Sequence, residues 1–174
     1  HFRKSRERRA TSWAARNLAR LALREGRAAA GCDLLAEAWD AGPRPVQLAI
    51  EYGNELLRAK RYEELQALLR SLEPSHQEHE RIRLLQVRLA MHEARPEEAL
   101  RLLDYDFAYI REGETSVWDL WVEAQALRLA QAEGVEVSDE LRERGLRELP
   151  PPRHLDFRMF VKPADRYVAP DAQE

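Results

Sequence analysis

A recurrence at an interval of 34 residues constrains this chain more than any other feature. The stretches Gly26-Arg27-Ala28-Ala29-Ala30-Gly31, Lys60-Arg61-Tyr62-Glu63-Glu64-Leu65 and Ala94-Arg95-Pro96-Glu97-Glu98-Ala99 follow one another at that spacing with no insertion between copies. A fixed period of this size marks stacked supersecondary units, none of which can bury its apolar face alone. With Ser12, Val46 and Glu80 as first residues, the units align in columns: Leu18/Tyr52/Gln86, Ala19/Gly53/Val87, Ala22/Leu56/Ala90, Ala28/Tyr62/Pro96, Gly31/Leu65/Ala99 and Leu35/Leu69/Leu103. Small and apolar types dominate, mostly three or four residues apart, which is the spacing of one helix face. The break near Gly26, Lys60 and Ala94 divides each unit into two helices.

Composition agrees with an all-α chain. Its 174 residues suffice for one domain with a substantial core. The charged fraction of 34% is high, as expected where many helices keep a solvated face, and only 7 glycines with few Val, Ile or Thr argue against a sheet. A net charge of −3 implies neither a nucleic-acid nor a membrane partner. Nine basic residues against two acidic ones fall between His1 and Arg27. The basic lead-in over residues 1–11 reads as a solvated helix start. Cys32 is the only cysteine, so no intrachain disulfide can form; its neighbours Gly31, Leu34 and Leu35 mark it as a core filler, and a reducing, cytoplasmic setting is expected. No apolar run approaches the ~18 residues that span a bilayer, and no signal-peptide core is present. The chain opens mid-pattern at His1, which leaves open that it is a piece of something longer.

Local signals set further expectations. Pro45 suits the first turn of a helix, and Ser75-His76-Gln77-Glu78 has capping-box spacing, predicting a helix start near His76. Ser116 with Asp119 predicts a long helix to about Ala132, stopped by Gly134, and Ser138 predicts a cap for a last helix through Glu148. Trp118 and Trp121 put bulk where earlier units hold small residues, as a cap over the last unit requires. Pro150-Pro151-Pro152 ends helix formation. Beyond it His154 to Val161 alternates polar and apolar types, predicting an extended segment with Leu155, Phe157, Met159 and Val161 on its buried side. Ala169 to Glu174 reads as disordered.

The columns resemble the tetratricopeptide repeat, a 34-residue helix-turn-helix. Tyr62-Glu63-Glu64-Leu65 and Pro96-Glu97-Glu98-Ala99 match the start of its second helix. Departures are Ala15, Ala49 and Arg83 at the family's first-helix tryptophan position, Val87 at its small position, and a closing proline in register only at Pro43. The resemblance covers about Ser12 to Ile110. It implies a right-handed superhelical solenoid of antiparallel helix pairs, with repeats at 12–45, 46–79 and 80–112, capping helices over 113–149 and a Pro-rich extended tail over 150–174.

No catalytic constellation is present: the chain has no glycine-rich phosphate loop, no nucleophile elbow and no cysteine pair. His76 and His79 lack a third ligand at metal-binding spacing, so no metal or cofactor is expected. Glu63/Glu64 and Glu97/Glu98 recur by repeat position and favour helix dipoles. In resembling solenoids the first helices line a concave groove, and this implies groove residues Arg20, Asn54 and Arg88 at the ninth position, Arg24, Arg58 and His92 at the thirteenth, and Trp13, Gln47 and Arg81 at the second. Guanidinium groups bind carboxylates by paired hydrogen bonds, so the peptide-binding candidates are Arg20, Arg24, Asn54, Arg58, Arg81, Arg88 and His92. The competing account pairs these arginines with Glu51 and Glu55, or leaves them solvated.

The expected function is a non-catalytic protein- or peptide-binding scaffold for an acidic or carboxylate-bearing segment. The chain's own tail, with Asp156 and Asp165, is a second candidate occupant over the floor residues Ile50 and Leu84, and homo-oligomerisation remains open. A narrower resemblance is carried by Asp104-Tyr105-Asp106-Phe107, Arg111-Glu112-Gly113-Glu114, Asp119-Leu120-Trp121 and Pro151 to Met159. These blocks resemble the end of a bacterial family in which a galactose-mutarotase-like β-sandwich precedes tetratricopeptide repeats. That resemblance implies the alternative of an accessory or assembly segment of a larger carbohydrate-active protein.

Overall fold

A computed structural model of the chain describes residues 11–108 and 117–155, and every regular element among the described residues is a helix. In chain order these are α1 (Ser12–Arg24), α2 (Ala28–Asp40), α3 (Val46–Arg58), α4 (Tyr62–Arg70), α5 (Pro74–Gln77), α6 (Glu80–His92), α7 (Pro96–Leu103), α8 (Val117–Glu133) and α9 (Asp139–Glu148). A 3-10 turn, Arg153–Leu155, follows.

The 34-residue interval is present in the backbone. α1, α3 and α6 begin at Ser12, Val46 and Glu80 and each runs 13 residues; α2, α4 and α7 begin at Ala28, Tyr62 and Pro96. All three first helices stop in the same way. Gly26, Lys60 and Ala94 take φ values of 74°, 57° and 55°. The amides of Arg27, Arg61 and Arg95 then donate to the carbonyls of Ala22, Leu56 and Ala90 at 2.9, 2.9 and 2.8 Å. A left-handed residue followed by this six-to-one bond is the Schellman stop, which satisfies a carbonyl that the helix leaves open. Gly134 stops α8 likewise, with Val135 donating to Ala130 at 3.0 Å, but it comes 40 residues after Ala94. α8 is also longer, at 17 residues, so the fourth helix pair departs from the interval.

The aligned columns form the core. Ala19, Ala22, Leu56, Leu65, Ala99 and Leu103 are fully enclosed. Helices pack in chain order, α1 on α2, α2 on α3, α3 on α4, α6 on α7, α7 on α8 and α8 on α9, while α3 and α4 also contact α6. One buried cluster joins α1 to α6, and a second, with Leu84, Val87, Ala90, Phe107, Val117, Ala124 and Leu155, joins α6 to α8 and the final turn. Cys32 is 1% exposed and fills the core as its neighbours predict.

Three local expectations are corrected or refined. Ser75 does not start a helix, because Pro74 takes the first helical position of the four-residue α5. The next helix begins at Glu80, with His79 as its cap: the Arg81 amide donates to His79 Nδ1 at 3.2 Å. Ser138 does cap α9, accepting from the Leu141 amide at 3.3 Å. Its hydroxyl also bonds the Glu140 side chain, which holds that carboxyl below its ordinary range. Residues 153–155 do not extend; the Leu155 amide folds back to the Pro152 carbonyl at 3.0 Å. Residues 156–174, the lead-in before Thr11, Ser116 and the block Arg111 to Glu114 lie outside the described residues.

The segment after α7 folds back onto α6. Arg83 lies 4.3 Å over the Tyr105 ring, Tyr105 meets Phe107 edge to face at 5.2 Å, and the Ala108 amide donates to the buried Glu80 carboxylate at 2.7 Å. Arg83 is thus occupied by an aromatic partner at the position where the resembling family places tryptophan. Trp121, partly buried against the second cluster, donates from Nε1 to the Leu149 carbonyl at 3.3 Å.

Candidate functional site

α1, α3 and α6 each turn one face toward a cavity of about 750 Å³. Arg20 and Arg24 enter it from α1, Asn54 and Arg58 from α3, and Arg81 and Arg88 from α6. Separations of four and seven residues return to the same side of a helix, which is why each pair converges. Leu23, Leu35, Ile50, Leu57, Leu84 and Leu85 supply its apolar surface, and Glu51 and Glu55 complete the lining.

The charges are unevenly matched. Glu51 is taken by Arg16, which lies one turn before Arg20 and outside the cavity lining. Arg16 Nε donates at 2.6 Å and its second nitrogen bonds the other carboxylate oxygen, a bidentate pair that holds the guanidinium pKa above its ordinary value. Glu55 is taken by Arg58 at 2.6 Å; that arginine side chain is 76% exposed, so the pair exchanges readily with solvent. The competing sequence account therefore holds for Arg58 through its pairing with Glu55 and for Arg20 and Arg24 through their exposure, while Glu51 has a partner that the aligned groove positions did not include. Five arginines line the cavity, and both of its carboxylates are already engaged.

Arg88 is the most informative of them. It is half-buried, and its pKa is held below the ordinary guanidinium value first by desolvation and then by the like charge of Arg58. Arg81 and Arg88 both take part in polar contacts. Arg20 and Arg24 are exposed and have no ion-pair partner among the described residues. Two guanidinium groups that repel each other over an apolar floor favour an anion between them, since a carboxylate relieves the repulsion and accepts their hydrogen bonds.

Two of the expected groove residues have side chains engaged elsewhere. His92 does not line the cavity: its ring stacks on Tyr62 of α4, centroids 3.4 Å apart and planes 13° from parallel. Asn54 lines the cavity but turns its amide nitrogen to its own helix, donating to the Ile50 carbonyl at 2.8 Å. This leaves Oδ1, an acceptor, as the atom best placed for a ligand. Trp13 and Gln47, at the position equivalent to Arg81, are exposed and outside the lining, and Arg16 sits 5.5 Å over the Trp13 ring.

Among the described residues no group of His, Cys, Asp and Glu side chains is arranged to hold a metal ion. No helix among them is long and apolar enough to cross a membrane. Compared with known protein families, with curated proteins and with solved structures, the chain finds no match.

Proposed function

We propose that this chain is a tetratricopeptide-like interaction module that binds an extended, carboxylate-bearing peptide or protein segment in the cavity between α1, α3 and α6, without catalysis. The observation that carries this is the charge balance of the cavity, in which five arginines from three first helices surround an apolar floor while Glu51 and Glu55 are already paired. In this proposal the arginines orient ligand carboxylates, Asn54 Oδ1 accepts from a ligand backbone amide, and Ile50, Leu57 and Leu84 take an apolar side chain. Each charge-assisted hydrogen bond is worth about 1.5–3 kcal/mol. The equal helix starts at Ser12, Val46 and Glu80 support a superhelical stack as the frame.

An array of acidic peptides tests the proposal. Binders are expected, and Arg20→Glu with Arg88→Glu is expected to weaken them at least 100-fold with helical content unchanged. An array that returns no binders, or binders indifferent to both reversals, overturns it.

A further inference from the structure

We infer that the cavity reads a pattern of charge: its ligand carries two acidic side chains held apart by a non-acidic stretch that lies over α3. This rests on the groove proposal above and names the kind of sequence the groove selects.

The pattern comes from how the three first helices divide the lining. α3 is the middle wall, because Arg16 of α1 bridges to its Glu51 and Leu85 of α6 packs on its Gly53. α1 brings Arg20 and Arg24 to the cavity and no carboxylate, and α6 brings Arg81 and Arg88 and no carboxylate. Both acidic groups of the lining, Glu51 and Glu55, stand on α3. The 34-residue alignment shows the same division. Glu51 and Glu55 fall in register with Asn17 and Leu21 of α1 and with Leu85 and Leu89 of α6, so the middle unit alone carries acid there.

A ligand carboxylate is received differently at each wall. On the α6 side, half-buried Arg88 feels the like charge of Arg58, which gives Nη1 to Glu55 and keeps its other nitrogens for an anion shared with Arg88. On the α1 side, Arg20 and Arg24 have no ion-pair partner among the described residues. Over α3 the balance reverses. Glu51 is held by Arg16, Glu55 by Arg58, and the Asn54 amide nitrogen by the Ile50 carbonyl. An acidic side chain placed there meets two carboxylates and an acceptor oxygen, and like charges repel. A backbone amide, or an apolar side chain over Ile50, meets no such opposition.

Helix spacing sets the interval between the two acidic residues. Neighbouring helices pack about 8–10 Å apart, so α1 and α6 flank α3 at roughly 16–20 Å axis to axis. An extended chain advances about 3.3 Å per residue, and arginines reaching inward shorten the span, which places the acidic residues about four to six apart. Even separations keep both on one side of the extended chain, with the residue midway turned to Ile50.

Synthetic peptides capped at both ends test this on the full chain. One has two glutamates four residues apart with leucine midway, and it is expected to bind at least 10-fold more tightly than its permutation with the glutamates adjacent. Glutamate in place of the central leucine is expected to bind at least threefold more weakly than glutamine there, despite its greater charge. Glu51→Gln with Glu55→Gln is expected to remove that penalty with helical content unchanged. Affinity that follows net charge whatever the order, or a central penalty that survives in the double variant, overturns the inference and leaves the receptor standing. No binding by any of these peptides, with the acidic array also empty, overturns both.

Discussion

Gly53 of α3 and Leu85 of α6 meet with no room for a side chain between them: a β-carbon on residue 53 would lie 2.5 Å from Leu85 Cδ1 and 3.3 Å from Leu65 Cδ1. The two first helices that carry Asn54 and Arg88 are spaced by this contact. Gly53→Ala gains helix propensity but overpacks an enclosed site, and a net loss of about 1–2 kcal/mol is expected. Combined with Leu85→Val, which removes the clashing methyl, the loss is expected to be less than additive by about 0.5 kcal/mol or more. Urea titration of the four chains in the cycle measures it. Strict additivity would assign the loss elsewhere.

Lys60 and Ala94 hold the left-handed conformation that Gly26 holds without a β-carbon. Lys60→Gly and Ala94→Gly are each expected to stabilise the chain by about 0.5–1 kcal/mol, and Gly26→Ala to destabilise it by a similar amount. The sites are remote in sequence and share no core contact, so both gains should add. Unfolding midpoints that fall on introducing either glycine would show that the backbone relaxes out of the stop.

His92 stands four residues beyond Arg88 yet spends its ring on Tyr62. His92→Ala is expected to leave acidic-peptide affinity within twofold while lowering stability by about 0.5–1.5 kcal/mol, the usual worth of a stacked ring pair. A binding loss equal to that of Arg88→Glu would return His92 to the site.

Burial pushes the Cys32 thiol above its ordinary value, against a smaller opposing pull from Arg61. A raised folded pKa means the thiol's contribution is complete below its unfolded value of about 8.5 and is lost as pH rises toward the folded one. Stability should therefore fall as pH rises above about 8.5. Tyr52, also pushed up by burial, should add to the fall only near and above pH ~10. Cys32→Ala lowers the plateau by leaving a cavity but is expected to flatten the slope between roughly pH 8.5 and 9.5. An unchanged slope in chemical denaturation across that range would exclude the thiol as its source.

Burial left the clearest mark in the sequence. Columns such as Ala19/Gly53/Val87 and Ala22/Leu56/Ala90 repeat because enclosed positions accept few side chains, and the first helices start at the residues those columns indicate. Six of the seven groove candidates reach one cavity for the same reason, since helical spacing fixes which side of α1, α3 and α6 they occupy. Spacing is silent about where polar atoms turn. Asn54 had a carbonyl of its own helix within reach, His92 had Tyr62 across the turn, and Glu51 had Arg16 from outside the aligned groove positions. α8 and α9 had no second copy to set their lengths, and Ser75 was overridden by the proline before it.

Leu155, sealed in a cluster with residues of α6, α7 and α8, also determines how this chain bears load. Tension applied from beyond residue 155 meets that buried leucine first and passes through it to α6, α7 and α8, although α9 is nearer to it along the chain. The load then enters the body sideways, through the packing around one side chain, before it is drawn along α9.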